Sequence, residues 1–234
     1  MTVEHLGGLS LLVPGPIRTK SWQFAVKYAL DRLVAAFLFA LSLPLFGAAA
    51  LAVRLTMGRP VFFRQTRVGR DGKRFEIVKF RSMRDAGPEE TIAFVLPDDL
   101  GPGGIEGVDR RTRLGSFLRE SNIDELPQLL NVLRGDMSLI GPRPERPEYV
   151  DRFEQSVYRY GDRHRVKAGI TGWAQVQGLR GRTSLADRAE WDNYYIENYS
   201  LWLDVKIFLM TFGALLRAFL PGRDSLDRQA HSGA

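Results

Sequence analysis

The chain has 234 residues, 44% of them hydrophobic, with a formal net charge of +6 and a pI of about 9.8. It contains no cysteine, which excludes disulfides, thiolate metal ligands and thiol nucleophiles. The basic balance indicates an anionic partner, which could be a nucleic acid, an anionic lipid or a phosphorylated substrate.

The first strong feature is an apolar segment, LVAAFLFALSLPLFGAAALAV, from Leu33 to Val53. It carries no charge, and its length is roughly that of a helix that spans a bilayer. The alternative is a core helix of a soluble protein. Pro44, with Gly47 after it, predicts a kink or a break near the middle. Residues 1–20 lack the basic start of a signal peptide.

Both flanks of this segment are basic. The cations on the two sides are Lys20, Lys27, Arg32, Arg54, Arg59, Arg64 and Arg67. A crossing segment normally has an asymmetric charge distribution, so these flanks favour a helix that dips into the membrane, turns at Pro44 and returns to the same face. Ser42 could then bond a backbone group freed at the turn. From these residues alone, a dip and a crossing both stay open.

A β-hairpin is predicted from Pro60 to Met83, because Asp71-Gly72 separates two runs of strand-forming residues. The hairpin carries seven cations, which are Arg64, Arg67, Arg70, Lys73, Arg74, Lys79 and Arg81. They could guard an exposed sheet edge or face phosphate groups. Residues 85–109 are rich in proline and glycine and are expected to form a mobile loop.

Four later helices are predicted, at residues 112–121, 126–134, 185–198 and 201–220. The second has leucines at the spacing of an amphipathic helix and is ended by Gly135. The last is either an interfacial helix or an ordinary core helix. Residues 166–184 are glycine-rich and expected to be irregular, with Trp173 as an anchor.

Two adjacent carboxylates, Asp124 and Glu125, stand where the second of these helices begins. Pro127 must lie in its first turn, which places Asp124 or a close neighbour at the cap. Helix starts attract negative charge, so simple capping could account for the pair. The alternative is chemistry. A helix start is expected to lower both carboxyl pKa values; an ionised Asp124 can act as a nucleophile, and the two carboxylates can hold Mg²⁺.

Five cations are expected to bind phosphate groups around this pair, namely Lys79, Arg81, Arg119, Arg143 and Arg146. Arginine can bind phosphate oxygens through two donors at once. The alternating prolines of GPRPERP, residues 141–147, predict a rigid mount for Arg143. Carboxylates, a divalent cation and clustered arginines together indicate phosphoryl transfer.

Four motifs follow one another along the chain: KFRSM, RLGSFLRESNIDELPQLLNVLRGDMSLIGPRP, KAGITGWAQVQG and YYIENYSLWLDVKIF. In this order they closely resemble the bacterial sugar transferase family, the monotopic phosphoglycosyl transferases, over residues 27–217. The resemblance implies transfer of a sugar 1-phosphate from a UDP-sugar to a polyprenyl phosphate such as undecaprenyl phosphate, with release of UMP. The segments GPRPERPEYV and QGLRGRTSL resemble those of members that start exopolysaccharide or capsule assembly, and this resemblance favours glucose or galactose 1-phosphate and a first step of exopolysaccharide, capsule or O-antigen assembly.

The resemblance also implies a mechanism. Asp124 would attack the β-phosphate and form a covalent phosphosugar intermediate, which the lipid phosphate then displaces. Glu125 and Mg²⁺ would lie at the same site. Lys79, Arg119 and Arg143 match the basic residues of the family and would offset charge in the transition state.

The expected fold is mixed α/β and mainly helical, with a re-entrant membrane helix, a β-hairpin and amphipathic interfacial helices around one catalytic domain. The expected divisions are an N-terminal segment at 1–26, the membrane helix at 27–58, the catalytic domain at 59–220 and a disordered tail at 221–234. In some family members serine directly precedes the breaking proline, whereas here Leu43 separates Ser42 from Pro44.

Long family members carry additional transmembrane helices before this region, so the chain is expected to be a minimal catalytic form. The resemblance places it at the cytoplasmic face of the bacterial inner membrane, with membrane lipid as a partner. A homodimer is compatible with this expectation.

Two other functions are weighed against this one. A basic membrane-bound scaffold or lipid-binding module explains the charge and the apolar segments but not the grouping of Asp124, Glu125 and arginines. A nucleic-acid binder is disfavoured, because the basic residues lack a reading helix or an aromatic RNA platform and the apolar segment is left unexplained.

Overall fold

The computed structural model describes residues 2–6, 9–13, 22–85, 109–179, 181 and 183–219. The mobile loop predicted at 85–109 lies outside the described residues apart from its two end residues. The disordered tail predicted at 221–234 lies wholly outside them.

Helices predominate, and the strands form small two-stranded sheets. The helices are α1 (Trp22–Met57), α2 (Arg113–Glu120), α3 (Gln128–Arg134), α4 (Pro147–Ser156), α5 (Trp173–Val176), α6 (Leu185–Glu197) and α7 (Leu201–Phe219). The strands are β1 (Thr2–Leu6), β2 (Leu9–Val13), β3 (Phe62–Val68), β4 (Arg74–Phe80), β5 (Ser138–Ile140) and β6 (Gly169–Thr171). The mainly helical α/β class is confirmed, and α2, α3, α6 and α7 lie where the sequence predicts them.

Helix α1 runs for 36 residues and passes through Pro44 without interruption. Proline has no N–H to donate to the carbonyl four residues earlier, that of Ala40. The Ser42 hydroxyl donates instead to the carbonyl of Phe39, at 3.0 Å. Ser42 therefore does not bond the carbonyl that Pro44 leaves free, and the re-entrant shape stays a prediction.

Both ends of α1 pack against the remainder of the molecule. Near its start, Phe24 and Ala35 belong to the core that also contains Ile207 of α7. Near its end, Ala49 and Val53 are buried in a second core with residues of β4 and α2. The two ends of the apolar helix are therefore held by the same folded body.

The outer face of α1 is exposed and apolar. Leu33, Phe37 and Leu41 are 69%, 67% and 68% exposed, and they recur at helical spacing. Exposed leucines continue along the helix at Leu51 and Leu55. By length and composition α1 could cross a membrane, and its apolar window is largely unburied, unlike a core helix of a soluble protein.

The predicted hairpin is confirmed. Strands β3 and β4 are antiparallel and pair Phe62 with Phe80 at one end and Val68 with Arg74 at the other. The turn contains Asp71 and Gly72, both with positive φ, of 56° and 73°. Asp-Gly is favoured at such a turn because both residues tolerate left-handed backbone.

A buried asparagine ties the hairpin to α3. Asn131 is fully buried, and its Nδ2 donates to the carbonyl of Glu76 at 2.6 Å. Its Oδ1 accepts from the N–H of Val78 at 3.1 Å. The Asn131 amide thus supplies hydrogen-bond partners for two backbone groups of β4, the carbonyl of Glu76 and the N–H of Val78. It also fixes the position of the next strand residue, Lys79.

Residues 166–184 are more regular than the sequence predicts. They contain β6, which pairs in parallel with β5, and the short helix α5, in which Trp173 is buried as expected. The backbone of β6 lies so close to residues 141–142 that a Cβ at Gly169 would be 2.1 Å from the nitrogen of Gly141. Only glycine permits this approach, which brings residues 141–147 against β6.

A buried polar group, which we call the anchor cluster, fastens α1 to α7 and β5. It consists of Lys27, Asp31, Ser138, Tyr195 and Asp204. Lys27 Nζ lies 2.7 Å from Asp204 and 3.3 Å from Asp31. Ser138 donates to Asp31 at 2.6 Å, and Tyr195 donates to Asp204 at 2.7 Å. Each carboxylate thus has two donors, as buried charges require.

Helix α7 has the features of both alternatives that its sequence allows, an ordinary core helix and an interfacial helix. Asp204 and Ile207 are buried against the core, whereas Trp202 and Leu209 on its other face are exposed. The exposed face is apolar, as expected for a helix that meets a membrane surface.

Candidate active site

The two acidic residues lie in a turn between α2 and α3. Helix α2 ends at Ser121, whose hydroxyl donates to the carbonyl of Phe117 at 2.7 Å. Asn122 then adopts left-handed backbone with φ of 56°, and a 3₁₀ turn follows at Ile123–Glu125. Burial of Ile123 with residues of α1, α2 and β4 fixes the turn.

Capping does not account for the pair. Helix α3 begins at Gln128, and its N-cap position is occupied by Pro127 with no side-chain cap bond. The 3₁₀ turn likewise has no side-chain cap bond. Asp124 and Glu125 precede α3 by several residues, so their carboxylates serve something other than its N-terminus.

Glu125 is held by two cations. Lys79 Nζ donates to Glu125 Oε1 at 2.6 Å, and Arg143 donates to the same oxygen at 3.1 Å. Burial alone would raise the pKa of Glu125, but the charges and hydrogen bonds of Arg143 and Lys79 outweigh it and hold this pKa well below its ordinary value. Glu125 is therefore ionised at neutral pH, as predicted.

Asp124 has a different environment. Its residue is 7% exposed, and in the described part of the chain its carboxylate accepts no hydrogen bond. Burial, followed by the charge of Glu125, raises the pKa of Asp124 to about 6, although Lys79, Arg119 and Arg143 oppose the shift. The predicted lowering of both pKa values is thus wrong for Asp124, because burial outweighs the expected helix-start effect.

The loop that carries Arg143 is fixed through its backbone. The carbonyl of Pro142 accepts from the Gly169 N–H at 2.9 Å, and that of Glu145 accepts from the Val68 N–H at 2.9 Å. Between them, the carbonyls of Arg143 and Pro144 accept from the guanidiniums of Arg163 and Arg67, each at 3.3 Å. Arg163 is itself buried and paired with Asp192 at 2.8 Å. These contacts supply the mount for Arg143 that the alternating prolines predict.

Lys79 and Arg119 complete the group, which we call the dyad cluster: Lys79, Arg119, Asp124, Glu125 and Arg143. Burial lowers the pKa of Lys79, with Arg143 acting in the same direction and Glu125 against it. Arg119, in the last turn of α2, lies 3.9 Å from the sulfur of Met83 and contributes its charge to Asp124.

The other two predicted phosphate-binding arginines make their described contacts elsewhere. Arg81 donates to the carbonyls of Met57, Arg59 and Met83, which ties the end of the hairpin to the end of α1. Arg146 pairs with Glu148 at 3.2 Å and lies over the ring of Tyr149 at 4.0 Å.

The donor set of the dyad fits Mg²⁺. Both oxygens of Asp124 and Oε2 of Glu125 are left without hydrogen bonds among the described residues. Mg²⁺ prefers oxygen ligands and is commonly held by one or two carboxylates together with waters and substrate phosphates. Groups of three or more His, Cys, Asp or Glu suited to a metal are absent from the part of the chain described here.

Sequence reasoning missed the residues that position the cluster. Asn131 carries one signal, an amide on the apolar side of a leucine helix, between Leu130 and Val132. Arg163 and Asp192 carry none, because their pairing joins positions 29 residues apart in unrelated segments.

Comparisons with known proteins identify a family that covers most of the chain. Residues 22–218 match the family described as bacterial sugar transferase. The chain is 42% identical over 223 residues to the UDP-N-acetylgalactosamine-undecaprenyl-phosphate N-acetylgalactosaminephosphotransferase of Aeromonas hydrophila, which covers 93% of this chain and 49% of the relative. The chain thus spans about half the length of that relative.

Two further relatives carry the name UDP-glucose:undecaprenyl-phosphate glucose-1-phosphate transferase. The protein of Caulobacter vibrioides is 45% identical over 196 residues, with 81% of this chain and 69% of the relative covered. The protein of Escherichia coli is 40% identical over 190 residues, with 80% and 39% covered. From the family match over most of its length and these similarities, the chain belongs to the bacterial sugar transferase family.

Proposed function

We propose that this protein is a phosphoglycosyl transferase that moves a sugar 1-phosphate from a UDP-sugar to undecaprenyl phosphate and releases UMP. One observation carries the proposal: a buried carboxylate, Asp124, has no ion pair or hydrogen bond among the described residues, although it lies beside a cluster of cations that hold its neighbour Glu125. Family membership and the names of the relatives support the choice of substrates.

In the first half-reaction, an oxygen of Asp124 attacks the β-phosphorus of the UDP-sugar. A bond forms between this oxygen and phosphorus, the bond from phosphorus to the bridging oxygen breaks, and UMP leaves with the electron pair. In the second, an oxygen of the lipid phosphate attacks the same phosphorus and displaces the aspartate. A pKa of about 6 leaves Asp124 mostly ionised at pH 7 yet more basic than an ordinary aspartate.

Glu125 and the cations orient the reaction. The Lys79 ammonium and the Arg143 guanidinium converge on Glu125 Oε1, and their remaining N–H groups are available for phosphate oxygens. Arg119 adds a third charge beside Asp124. Together they offset the negative charge that develops as UMP leaves. Phosphate-binding roles for Arg81 and Arg146 stay predictions.

Asp124 and Glu125 would hold Mg²⁺. Bound there, the ion supplies Lewis-acid neutralisation of phosphate charge. Glu125 also fixes the two cations, so its removal would disturb their positions as well as the metal.

Helix α1 supports the proposed membrane placement. Its two ends pack against one folded body while its outer face exposes leucines and Phe37. A helix that crossed the bilayer would have its ends on opposite sides, so contact of both ends with this body supports the predicted dip, although α1 is not interrupted at Pro44. A lipid phosphate at the cytoplasmic face of the inner membrane would then lie at the level of the domain.

The test is UMP release by purified protein mixed with undecaprenyl phosphate and a panel of UDP-sugars, including UDP-glucose, UDP-galactose and UDP-N-acetylgalactosamine. We expect release with at least one sugar, loss on chelation and recovery with added Mg²⁺. UDP-glucose and UDP-galactose are the favoured donors, in a first step of exopolysaccharide, capsule or O-antigen assembly.

Asp124→Asn should lower turnover by roughly a thousandfold or more, because it removes the nucleophile. Asp151→Asn is the matched control, since Asp151 is an exposed aspartate on α4. Turnover retained by Asp124→Asn would contradict the assigned nucleophile, and no UMP release from any donor would contradict the reaction.

A further inference from the structure

A second group of cations lies around Tyr28, at the start of α1. Lys167 Nζ is 4.5 Å from the centre of the Tyr28 ring, and the Arg70 guanidinium is 6.0 Å from it. The backbone N–H of Lys167 donates to the Tyr28 hydroxyl at 3.3 Å. The hairpin turn and the segment that leads into β6 therefore both contact Tyr28.

Arg32 lies one helical turn further along α1. Its guanidinium is fixed against the end of α3, where a Cβ at Gly135 would be 2.3 Å from it. Its positive charge, with that of Arg70, acts on Lys167. Burial and repulsion from these two arginines lower the pKa of Lys167. Three cations thus crowd together against their mutual repulsion.

Acidic groups compensate for this crowding only in part: Asp31 and Asp136 act against the fall in the Lys167 pKa without cancelling it. Within the described residues, Arg32 and Lys167 form no ion pair, and Arg70 pairs only with its neighbour Asp71, at 3.3 Å. Asp31, the nearest acid of α1, is occupied by Lys27 and Ser138 in the anchor cluster. The site therefore has a surplus of positive charge that a bound anion would neutralise.

The location selects the kind of anion. Arg32 is exposed and immediately precedes the charge-free apolar run that starts at Leu33. Leu30 and Leu33, on either side of it, are themselves exposed. Cations next to an exposed apolar helix lie at the level of lipid headgroups, where the phosphates of anionic lipids are found.

We propose that Arg32, Arg70 and Lys167 form a binding site for the phosphate of an anionic membrane phospholipid. The site is separate from the dyad cluster, because the hairpin turn that carries Arg70 is at the opposite end of β4 from Lys79. The bound headgroup would hold the start of α1 and the hairpin turn at the membrane surface. This rests on the membrane placement proposed above but not on the proposed chemistry.

The experiment titrates the full chain, purified in a neutral detergent and without UDP-sugar, with short-chain phosphatidylglycerol or phosphatidylcholine. Native mass spectrometry gives the apparent Kd. Phosphatidylglycerol should bind and phosphatidylcholine should not compete. Replacement of Arg32, Arg70 or Lys167 by Gln should weaken binding about fivefold for each cation removed.

The matched control removes three exposed cations from the same hairpin that do not contact Tyr28, by Arg64→Gln, Lys73→Gln and Arg74→Gln together. This control should change the Kd less than about twofold. The melting temperature in detergent reports whether each variant folds. If the variant that lacks all three cations of the site does not fold, Arg32→Gln alone tests the site. Equal losses in site and control variants, or equal binding of the two lipids, would overturn the proposal.

Glycerol phosphate distinguishes the two sources of phosphate. It should compete only at concentrations far above those of phosphatidylglycerol, since it lacks the acyl chains that contact α1. Competition at equal concentration would show a site for free phosphate and would overturn the assignment to lipid.

Discussion

The anchor cluster and the dyad cluster are both buried groups of opposite charges, and they differ in how completely the charges are satisfied. In the anchor cluster Asp31 and Asp204 each have two donors. In the dyad cluster Glu125 takes two cations, whereas Asp124 accepts no hydrogen bond from the described residues. A buried charge that has enough hydrogen-bond and ion-pair partners holds neighbouring elements together. A buried charge that lacks them lowers stability and is retained where the chemistry requires it.

The largest expected effect on stability is at the anchor cluster. Lys27→Met should lower the free energy of unfolding by about 3 to 5 kcal/mol, because Asp204 and Asp31 lose their buried cation. The measurement is thermal or denaturant unfolding in detergent. The double variant Lys27→Met with Asp204→Leu should recover much of the loss, and equal instability of both variants would refute the pairing argument.

At the dyad cluster the expected loss is in activity. Lys79→Met should lower kcat by about a hundredfold to a thousandfold, because Lys79 holds Glu125 and is proposed to bind the phosphates. Arg81→Met should instead lower the melting temperature, because Arg81 bonds the carbonyls of Met57 and Arg59. If the folded Arg81 variant lost as much kcat as the Lys79 variant, the predicted phosphate-binding role of Arg81 would be supported after all.

The hydrogen bonds between Asn131 of α3 and strand β4 can be tested on their own. Asn131→Leu should lower the free energy of unfolding by about 2 kcal/mol, because the N–H of Val78 and the carbonyl of Glu76 lose their partner. Denaturant unfolding measures this. Asn198→Leu is a control, since Asn198 bonds only a nearby carbonyl at an exposed helix end, and it should change stability much less.

The last effect has the opposite sign. Because the folded pKa of Asp124 is raised from 3.8 to about 6, its ionisation destabilises the fold fully above pH 6 and not at all below pH 4. Asp124→Asn should therefore stabilise the protein by about 3 kcal/mol at pH 7.5, with the gain vanishing near pH 4. A pH series of unfolding curves checks this, and a loss of stability at pH 7.5 would contradict the unpaired state of Asp124.

Local patterns in the sequence were sufficient for α2, α3, α6, α7 and the hairpin, whereas α4 and α5 were not predicted. The spacing of Leu126, Leu129 and Leu133 and the Asp71-Gly72 pair depend only on neighbours in the chain, and the structure agrees with both. Motif resemblance likewise found the five residues of the dyad cluster.

The remainder depends on tertiary packing. The rise in the Asp124 pKa comes from burial by segments distant in sequence, so a helix-start argument predicted the wrong direction. Lys79 and Arg81 look equivalent in the sequence, but Arg81 follows the end of β4 and turns to backbone carbonyls. Lys27 looks like a basic membrane flank, yet it is 2% exposed and paired inside the anchor cluster.

The central claim is that Asp124 becomes covalently bonded to a sugar phosphate. Protein incubated with a productive UDP-sugar and Mg²⁺, without undecaprenyl phosphate, should gain the mass of one sugar phosphate, and peptide mapping should place it on Asp124. Adding undecaprenyl phosphate should remove the adduct, and Asp124→Asn should never form it. An adduct on another residue, or turnover by wild-type protein with no adduct under rapid quenching, would contradict the account.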